Sequence, residues 1–320
     1  MAKNHPAYLG VDLGGTNIQC GLLDADGQLL ARDDTKTKAD QGSDAVIGRI
    51  GKLVEQVIEK ANVPREHIGG LGIGAPGAVN PHKGTVITAV NLRWTDFPLA
   101  KALEKEVKMP VIVDNDVNVG AWGEHQAGAA KGHDSLLAVF VGTGIGGGLI
   151  LNSQLFHGHY FTGGEIGHVI MESGGTFGRR TLENLASRAN IANQIIASIR
   201  SNHPSQISEL VEGDLTRVRS KVIAQAYRDK DVLTVRVVNE AARVIGHAIA
   251  NAVTLLSLPC VVLGGGLTEA LGQPLVREIT RSFEDGVFPK TLTQCKIIAG
   301  TLGDDAGLTG AALLARKQLA

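Results

Sequence analysis

Asp12 closes an apolar run and is followed by Leu13-Gly14-Gly15-Thr16-Asn17. Bare glycines expose backbone N–H groups with no Cβ in the way, which suits close approach to phosphate oxygens. A carboxylate beside such a turn can hold Mg²⁺ on a polyphosphate, directly or through water. Alone, Asp12 reads as an ordinary turn aspartate. A second glycine turn, Gly142-Thr143-Gly144-Ile145-Gly146-Gly147-Gly148, lies roughly 130 residues further on. Tyr8–Val11 and Ile18–Leu23 flank the first turn, and Leu136–Val141 and Leu149–Leu151 flank the second. A strand–turn–strand unit made twice implies two related halves facing one ligand. Two such turns meeting across a cleft would grip the phosphates of one nucleotide.

Groups suited to proton transfer come next. Asp114-Asn115-Asp116 stands where an apolar strand gives way to a helix. Asp and Asn are preferred N-caps, but one cap needs one such residue. An Asn beside an Asp can also orient a substrate hydroxyl while the Asp takes its proton. Both readings stand at this point. Gly164-Glu165-Ile166-Gly167-His168 and the later Glu183 supply two carboxylates and an imidazole after the second turn. Such groups suit a polyol, whose hydroxyls each donate and accept. His157 and His159 form no metal pattern with a third ligand and read as surface turn residues.

These side chains need a frame. A three-strand meander is expected over Tyr8–Val11, Thr16–Leu23 and Leu29–Thr37, with Asp24-Ala25-Asp26-Gly27 as its second turn. Val46, Ile47, Ile50, Leu53, Val54, Val57 and Ile58 recur at helical spacing between Ser43 and Pro64. Strands follow at Ile68–Ile73 and Val111–Val113, separated by an irregular Gly74-Ala75-Pro76-Gly77. A helix then runs through Val119, Trp122 and Glu124. The second half repeats the order: a meander from Ser135 to about Phe156, then a mostly helical stretch from Thr181 to Leu258. Within that stretch Val232 to Leu258 reads as one long helix stopped by Pro259. A buried strand Cys260–Leu263, a helix, the strand Lys296–Ala299 and a last helix from Asp304-Asp305 to near Lys317 complete the chain. The domain boundary falls near residue 117: 1–117 forms a small α/β domain on which 304–320 packs back, and 118–303 a large one.

Bulk properties exclude several classes. With 31 basic and 32 acidic residues there is no basic surplus of the kind nucleic-acid binding needs. At 320 residues the chain can build two full cores. Cys20, Cys260 and Cys295 have no metal spacing, and Met1-Ala-Lys-Asn-His-Pro has no hydrophobic leader. The expectation is a soluble protein of a reducing cytoplasm, with no membrane and no nucleic-acid partner. Gly72/Gly74/Gly77 and Gly142/Gly144/Gly147 both match G-x-G-x-x-G. That fingerprint requires a helix straight after the glycines, which Pro76 and the strand-like Leu149-Ile150-Leu151 oppose, so a nicotinamide site is set aside.

Taken in order, the residues resemble the ROK family (repressors, open reading frames and kinases), within the actin-like ATPase superfamily. Nine motifs carry the resemblance over nearly the whole chain: Asp12–Asn17, Gly74–Gly77, Asn91–Trp94, Asp114–Asn118, Gly142–Gly148, Gly164–His168, Leu182-Glu183, Gly264–Gly266 and Leu302–Gly307. It implies a two-domain α/β fold, actin-like (ribonuclease H-like), with a cleft between the domains. It implies Asp116 as general base, with Gly77, Asn91, Asn115, Glu165, His168 and Glu183 around a hexose. It places ATP phosphates on Asp12, Gly14, Gly15, Thr16, Asn17, Gly142, Thr143 and Gly144, adenosine against Gly264, Gly265 and Gly266, and Mg²⁺ at Asp12. The implied activity is an ATP-dependent glucokinase of carbohydrate metabolism and glycolysis, acting as a homodimer or homotetramer. Fructose, mannose, N-acetylglucosamine and N-acetylmannosamine are the alternative acceptors, and inorganic polyphosphate the alternative donor. A sugar-responsive repressor is the rival class; repressors of the family place a helix-turn-helix ahead of the first phosphate turn, and seven residues precede Tyr8.

One departure stands out. Most members follow Glu-x-Gly-His with a cysteine run that binds structural zinc together with the histidine. Here Met171–Glu183 contains no cysteine, so no zinc site is expected. Glycines at 174, 175 and 178 are expected to turn the shortened loop, and Arg179 or Arg180 to pair with nearby carboxylates.

Overall fold

The computed structural model describes residues 7–176 and 178–320. In chain order the first strands are β1 (Ala7–Leu13), β2 (Asn17–Leu23) and β3 (Leu29–Lys36), followed by helix α1 (Ser43–Ala61). Then come β4 (Ile68–Ala75), β5 (Ala78–Asn80), β6 (Thr85–Ala89), β7 (Trp94–Phe97), α2 (Leu99–Val107), β8 (Val111–Asn115) and α3 (Asp116–Gln126). The second half begins with β9 (Leu136–Val141), β10 (Ile145–Leu151) and β11 (Gln154–Leu155). Helices α4 (Leu182–Ala186), α5 (Arg188–Arg200), α6 (Ile207–Leu210), α7 (Ser220–Arg228) and α8 (Val232–Leu256) follow. The chain ends with β12 (Cys260–Gly264), α9 (Gly266–Leu271), α10 (Gln273–Gly286), β13 (Lys296–Ala299) and α11 (Ala306–Leu319). Among the described residues no helix is long and apolar enough to cross a membrane.

The repeat read from the glycine turns reappears as topology. One five-stranded sheet has the order β3-β2-β1-β4-β8 and the other β11-β10-β9-β12-β13. Counting the five members of each sheet in chain order, both run 3-2-1-4-5. In each, the first member pairs in parallel with the fourth and the fourth with the fifth. A parallel sheet covered by helices buries both faces of its central strands. Accordingly every residue of β12 is buried, and β4 is buried along nearly its whole length. The strand β4 extends through Gly74 and Ala75, two residues past the expected end.

The chain divides into two compact units. Unit 1 holds the residues up to Gly132 together with Gly148–Gly163 and Asp304–Ala320; unit 2 holds His133–Gly147 and Gly164–Gly303. In unit 1 the seven apolar positions expected on α1 are all buried. Each such burial contributes about 1.5–3 kcal/mol, which is what holds a helix of this length to its sheet. The helix stops where Asn62 takes a left-handed conformation. A small three-stranded antiparallel sheet, β5-β6-β7, was not expected from the sequence. Its run of four β-branched residues, Thr85-Val86-Ile87-Thr88, was the available signal.

The helix that carries Asp116 is seated by small residues. The pattern of α3 is not amphipathic: residues 118–125 are all buried. Its partner α11 approaches backbone to backbone, for a Cβ added to Gly310 would stand 1.7 Å from Val119 O, and one on Gly123 2.6 Å from Ala306 O. The same helix presses on the sheet, since a Cβ on Gly10 would meet Leu308 O at 1.8 Å. In unit 2, α8 packs on α10, closely enough that a Cβ on Gly246 would stand 2.6 Å from Ile279 O.

Candidate active site

In unit 1, Asp12 is the last residue but one of β1. The turn after it is closed by Gly14 N–H donating to Asn17 O at 2.9 Å and by Thr37 Oγ1 donating to Gly14 O at 2.7 Å. Gly15, Thr16 and Asn17 are left exposed, with Lys36 Nζ 2.8 Å from Asn17 Oδ1. Asn91 lies against this turn: a Cβ on Gly15 would stand 3.2 Å from Asn91 Cβ. Burial, then the charges of Asp116 and Asp304, push the Asp12 carboxyl up to about 7. Crowded carboxylates of this kind are relieved by a cation. Hard oxygen donors fit Mg²⁺, which needs only one or two carboxylates when phosphates and water supply the rest. Among the described residues no group of three or more His, Cys, Asp or Glu side chains is placed to hold a metal by itself.

The capping role read within Asp114-Asn115-Asp116 falls to the middle residue. Asn115 is the cap: its Oδ1 accepts from Val117 N at 2.9 Å and Asn118 N at 3.1 Å, and its Nδ2 donates to Gly77 O at 2.9 Å. Asp116 is the first residue of α3, where the positive end of the helix dipole favours a carboxylate. Asp114 is only 1% exposed. Its Oδ1 accepts from Asn115 N at 2.7 Å and Asn118 Nδ2 at 3.0 Å, and its Oδ2 lies 2.7 Å from His157 Nε2. The reading of His157 as a surface turn residue is therefore corrected. His159 is exposed, its ring set edge-on to Tyr160.

In unit 2, the turn after β9 is closed by Gly142 N–H donating to Gly144 O at 2.9 Å. Glu183, at the start of α4, accepts the Ile145 N–H on Oε2 at 2.8 Å. Glu165 precedes a 3₁₀ turn over Ile166–His168, and His168 Nε2 is 3.9 Å from Glu165 Oε2, both side chains open to solvent. Gly264 ends β12, Gly265 precedes α9 and Gly266 begins it. A residue no motif signalled joins the turn: Arg188 Nη2 donates to Thr143 Oγ1 at 2.6 Å, and Arg188 N to Gly142 O at 3.0 Å. Burial and the neighbouring Arg219 charge lower the Arg188 pKa from the usual arginine value. A cation on a glycine turn, with a second beside it, makes a setting for anions.

The shortened loop after His168 is tied by its own backbone. Ile170 bridges Thr181, and Met171 N donates to Arg180 O at 2.7 Å. Arg180 Nη2 reaches Ser173 O at 3.3 Å rather than the carboxylate that was expected.

Comparison with known proteins bears on all of this. The ROK family's sequence profile matches residues 8–318. A glucokinase of Halalkalibacterium halodurans is 34% identical over 97% of this chain and 95% of its own. An N-acetylmannosamine kinase of Escherichia fergusonii is 29% identical over 97% and 98%. The crystal structure of a ROK family glucokinase from Streptomyces griseus, in complex with glucose and AMPPNP, superposes with a TM-score of 0.86 at 30% identity, covering 97% of this chain and 99% of that one. The fold is thus the two-domain α/β fold of the actin-like (ribonuclease H-like) ATPases. On a match spanning nearly its whole length, this chain belongs to the ROK family.

Proposed function

We propose that the protein is an ATP-dependent glucokinase that phosphorylates the 6-hydroxyl of glucose. The observation that carries this reading lies in unit 1: Asp116, the first residue of a helix capped by Asn115, is close enough to Asp12 on the phosphate-type turn for their charges to interact. A base and a polyphosphate turn side by side are what transfer to a hydroxyl requires.

Asp116 accepts the O6 proton as that oxygen attacks the γ-phosphate in line. Gly77, Asn91, Asn115, Glu165, His168 and Glu183 hold the sugar hydroxyls, so most of the rate comes from placement. Asp12, Gly14, Gly15, Thr16, Asn17, Gly142, Thr143 and Gly144 hold the phosphates, with Arg188 adding a cation beside Thr143. Gly264, Gly265 and Gly266 lie against the adenosine. Mg²⁺ at Asp12 would neutralise charge on the donor phosphates. The reading also includes a cytoplasmic homodimer or homotetramer supplying glycolysis. It places the functional domain boundary near residue 117, with residues 304–320 joining the first domain.

A coupled assay over glucose, fructose, mannose, N-acetylglucosamine and N-acetylmannosamine, each with ATP and with polyphosphate, tests it. The expected result is the highest kcat/KM for glucose with ATP. Higher efficiency with an N-acetylhexosamine or with polyphosphate overturns the assignment of acceptor or donor, and no turnover with any pair overturns the whole.

A further inference from the structure

We propose that His157 is a positioning residue for phosphoryl transfer, acting through Asp114 to hold the turn that carries Asn115 and Asp116. The inference rests on Asp116 being the base. Asp114 is buried, and a buried carboxylate is costly unless its oxygens are hydrogen-bonded. One oxygen is spent locally on Asn115 N and Asn118 Nδ2; the other meets His157 Nε2 at 2.7 Å, forty-three positions away in sequence. Asn115 N–H and the Asn118 side chain bracket Asp116, so the orientation of the Asp114 carboxylate sets the geometry on both sides of it.

His157 is itself held. Gly163 N–H donates to His157 O at 2.8 Å, closing the loop that leads in sequence to Glu165. Its ring borders a cavity of about 450 Å³ that His82, Trp122, Leu314 and Lys317 also line. That space accepts other side chains at position 157 without overpacking. Because Nε2 approaches the carboxylate, the imidazole donates there, and the Asp114 side chain cannot rotate without breaking the contact. A shift of the turn by as little as about 1 Å is enough to lower turnover by some two orders of magnitude.

His157→Leu keeps the bulk and removes the donor, whereas His157→Gln offers its side-chain N–H₂ at a reach similar to Nε2. Steady-state kinetics, thermal melting and glucose binding without nucleotide are measured for both, with Asp116→Asn alongside. The expected result for His157→Leu is a fall in kcat of about 10–100-fold with the KM for ATP within about twofold of wild type. His157→Gln should restore most of kcat. If His157→Leu melts earlier yet keeps wild-type kcat per folded molecule while Asp116→Asn is inactive, the pair only braces the fold and the inference fails. If kcat falls for His157→Leu and equally for His157→Gln, the hydrogen bond is not what matters, and the inference fails. Wild-type turnover in Asp116→Asn instead overturns the functional reading, and the role of His157 with it.

Discussion

Glu183 Oε2 accepts the backbone N–H of Ile145 at 2.8 Å, which seats a carboxylate directly on the second glycine turn. The contact exists because Gly144 has no side chain: a Cβ there would stand 2.2 Å from Glu183 Oε2. Gly144 therefore makes room for the carboxylate, which on the proposed function links a phosphate turn to a sugar ligand.

Gly144→Ala should displace Glu183 and raise the KM for glucose about tenfold or more, the scale of one lost charge-assisted hydrogen bond. A Cβ on Gly142 would meet nothing nearer than 4.0 Å. Gly142→Ala should accordingly leave the glucose KM within about twofold of wild type. Equal glucose KM values for the two variants would contradict the coupling.

Asp116→Asn preserves the shape of the first helical residue and removes its basicity. Turnover should fall by about 10²–10⁴-fold, the range for losing a general base, with glucose binding measured without nucleotide largely intact. Turnover near the wild-type rate would remove Asp116 from the mechanism.

Asp12 makes the metal-free protein sensitive to pH. Its folded pKa of about 7 lies above the ordinary carboxyl value, because of burial and then the Asp116 and Asp304 charges. Between about pH 4 and pH 7 the folded state therefore holds a proton that the unfolded state has lost, so stability falls as pH rises through that window. Asp12→Asn removes the effect. In chelator at pH 8 the variant should melt above wild type, the gap closing towards pH 4, while its use of Mg-ATP is impaired. A variant that melts at or below wild type at pH 8 would show that the carboxylate carries no such strain.

Arg188 binds Thr143 Oγ1 at 2.6 Å with a second cation, Arg219, nearby. A charged hydrogen bond contributes about 1.5–3 kcal/mol, so Arg188→Ala should raise the KM for ATP at least about tenfold and leave glucose binding alone. An unchanged KM for ATP would take Arg188 out of the donor site.

Zinc should be dispensable. The segment between His168 and Glu183 offers no thiolate and is closed by the Ile170–Thr181 bridge and the Met171–Arg180 hydrogen bond. Metal binding in a structural zinc site is linked to folding, so a zinc-dependent protein melts earlier in strong chelator. Here neither melting nor activity should change once Mg²⁺ is restored. Stoichiometric zinc by elemental analysis, lost together with activity, would refute this.

Apart from the small β5-β6-β7 sheet, the main elements and the order of the motifs were legible in the sequence, because helical spacing, strand runs and glycine turns are local properties. The buried face of α1 follows from its periodicity alone, and the end of α8 ahead of residue 259 follows from the proline there. The repeat of two glycine turns anticipated two sheets of one topology. Contacts between distant residues were not legible, since no local period records which side chains meet. Only the tertiary structure decided that Asn115 caps α3 and leaves Asp116 as its first residue. It alone paired His157 with buried Asp114, brought Arg188 to Thr143, and set Gly310 against Val119 O. Beyond the Asn115 cap, the deciding quantity is a distance across the fold: a buried carboxylate must find a donor, and two helix backbones can come this close only where no Cβ stands between them.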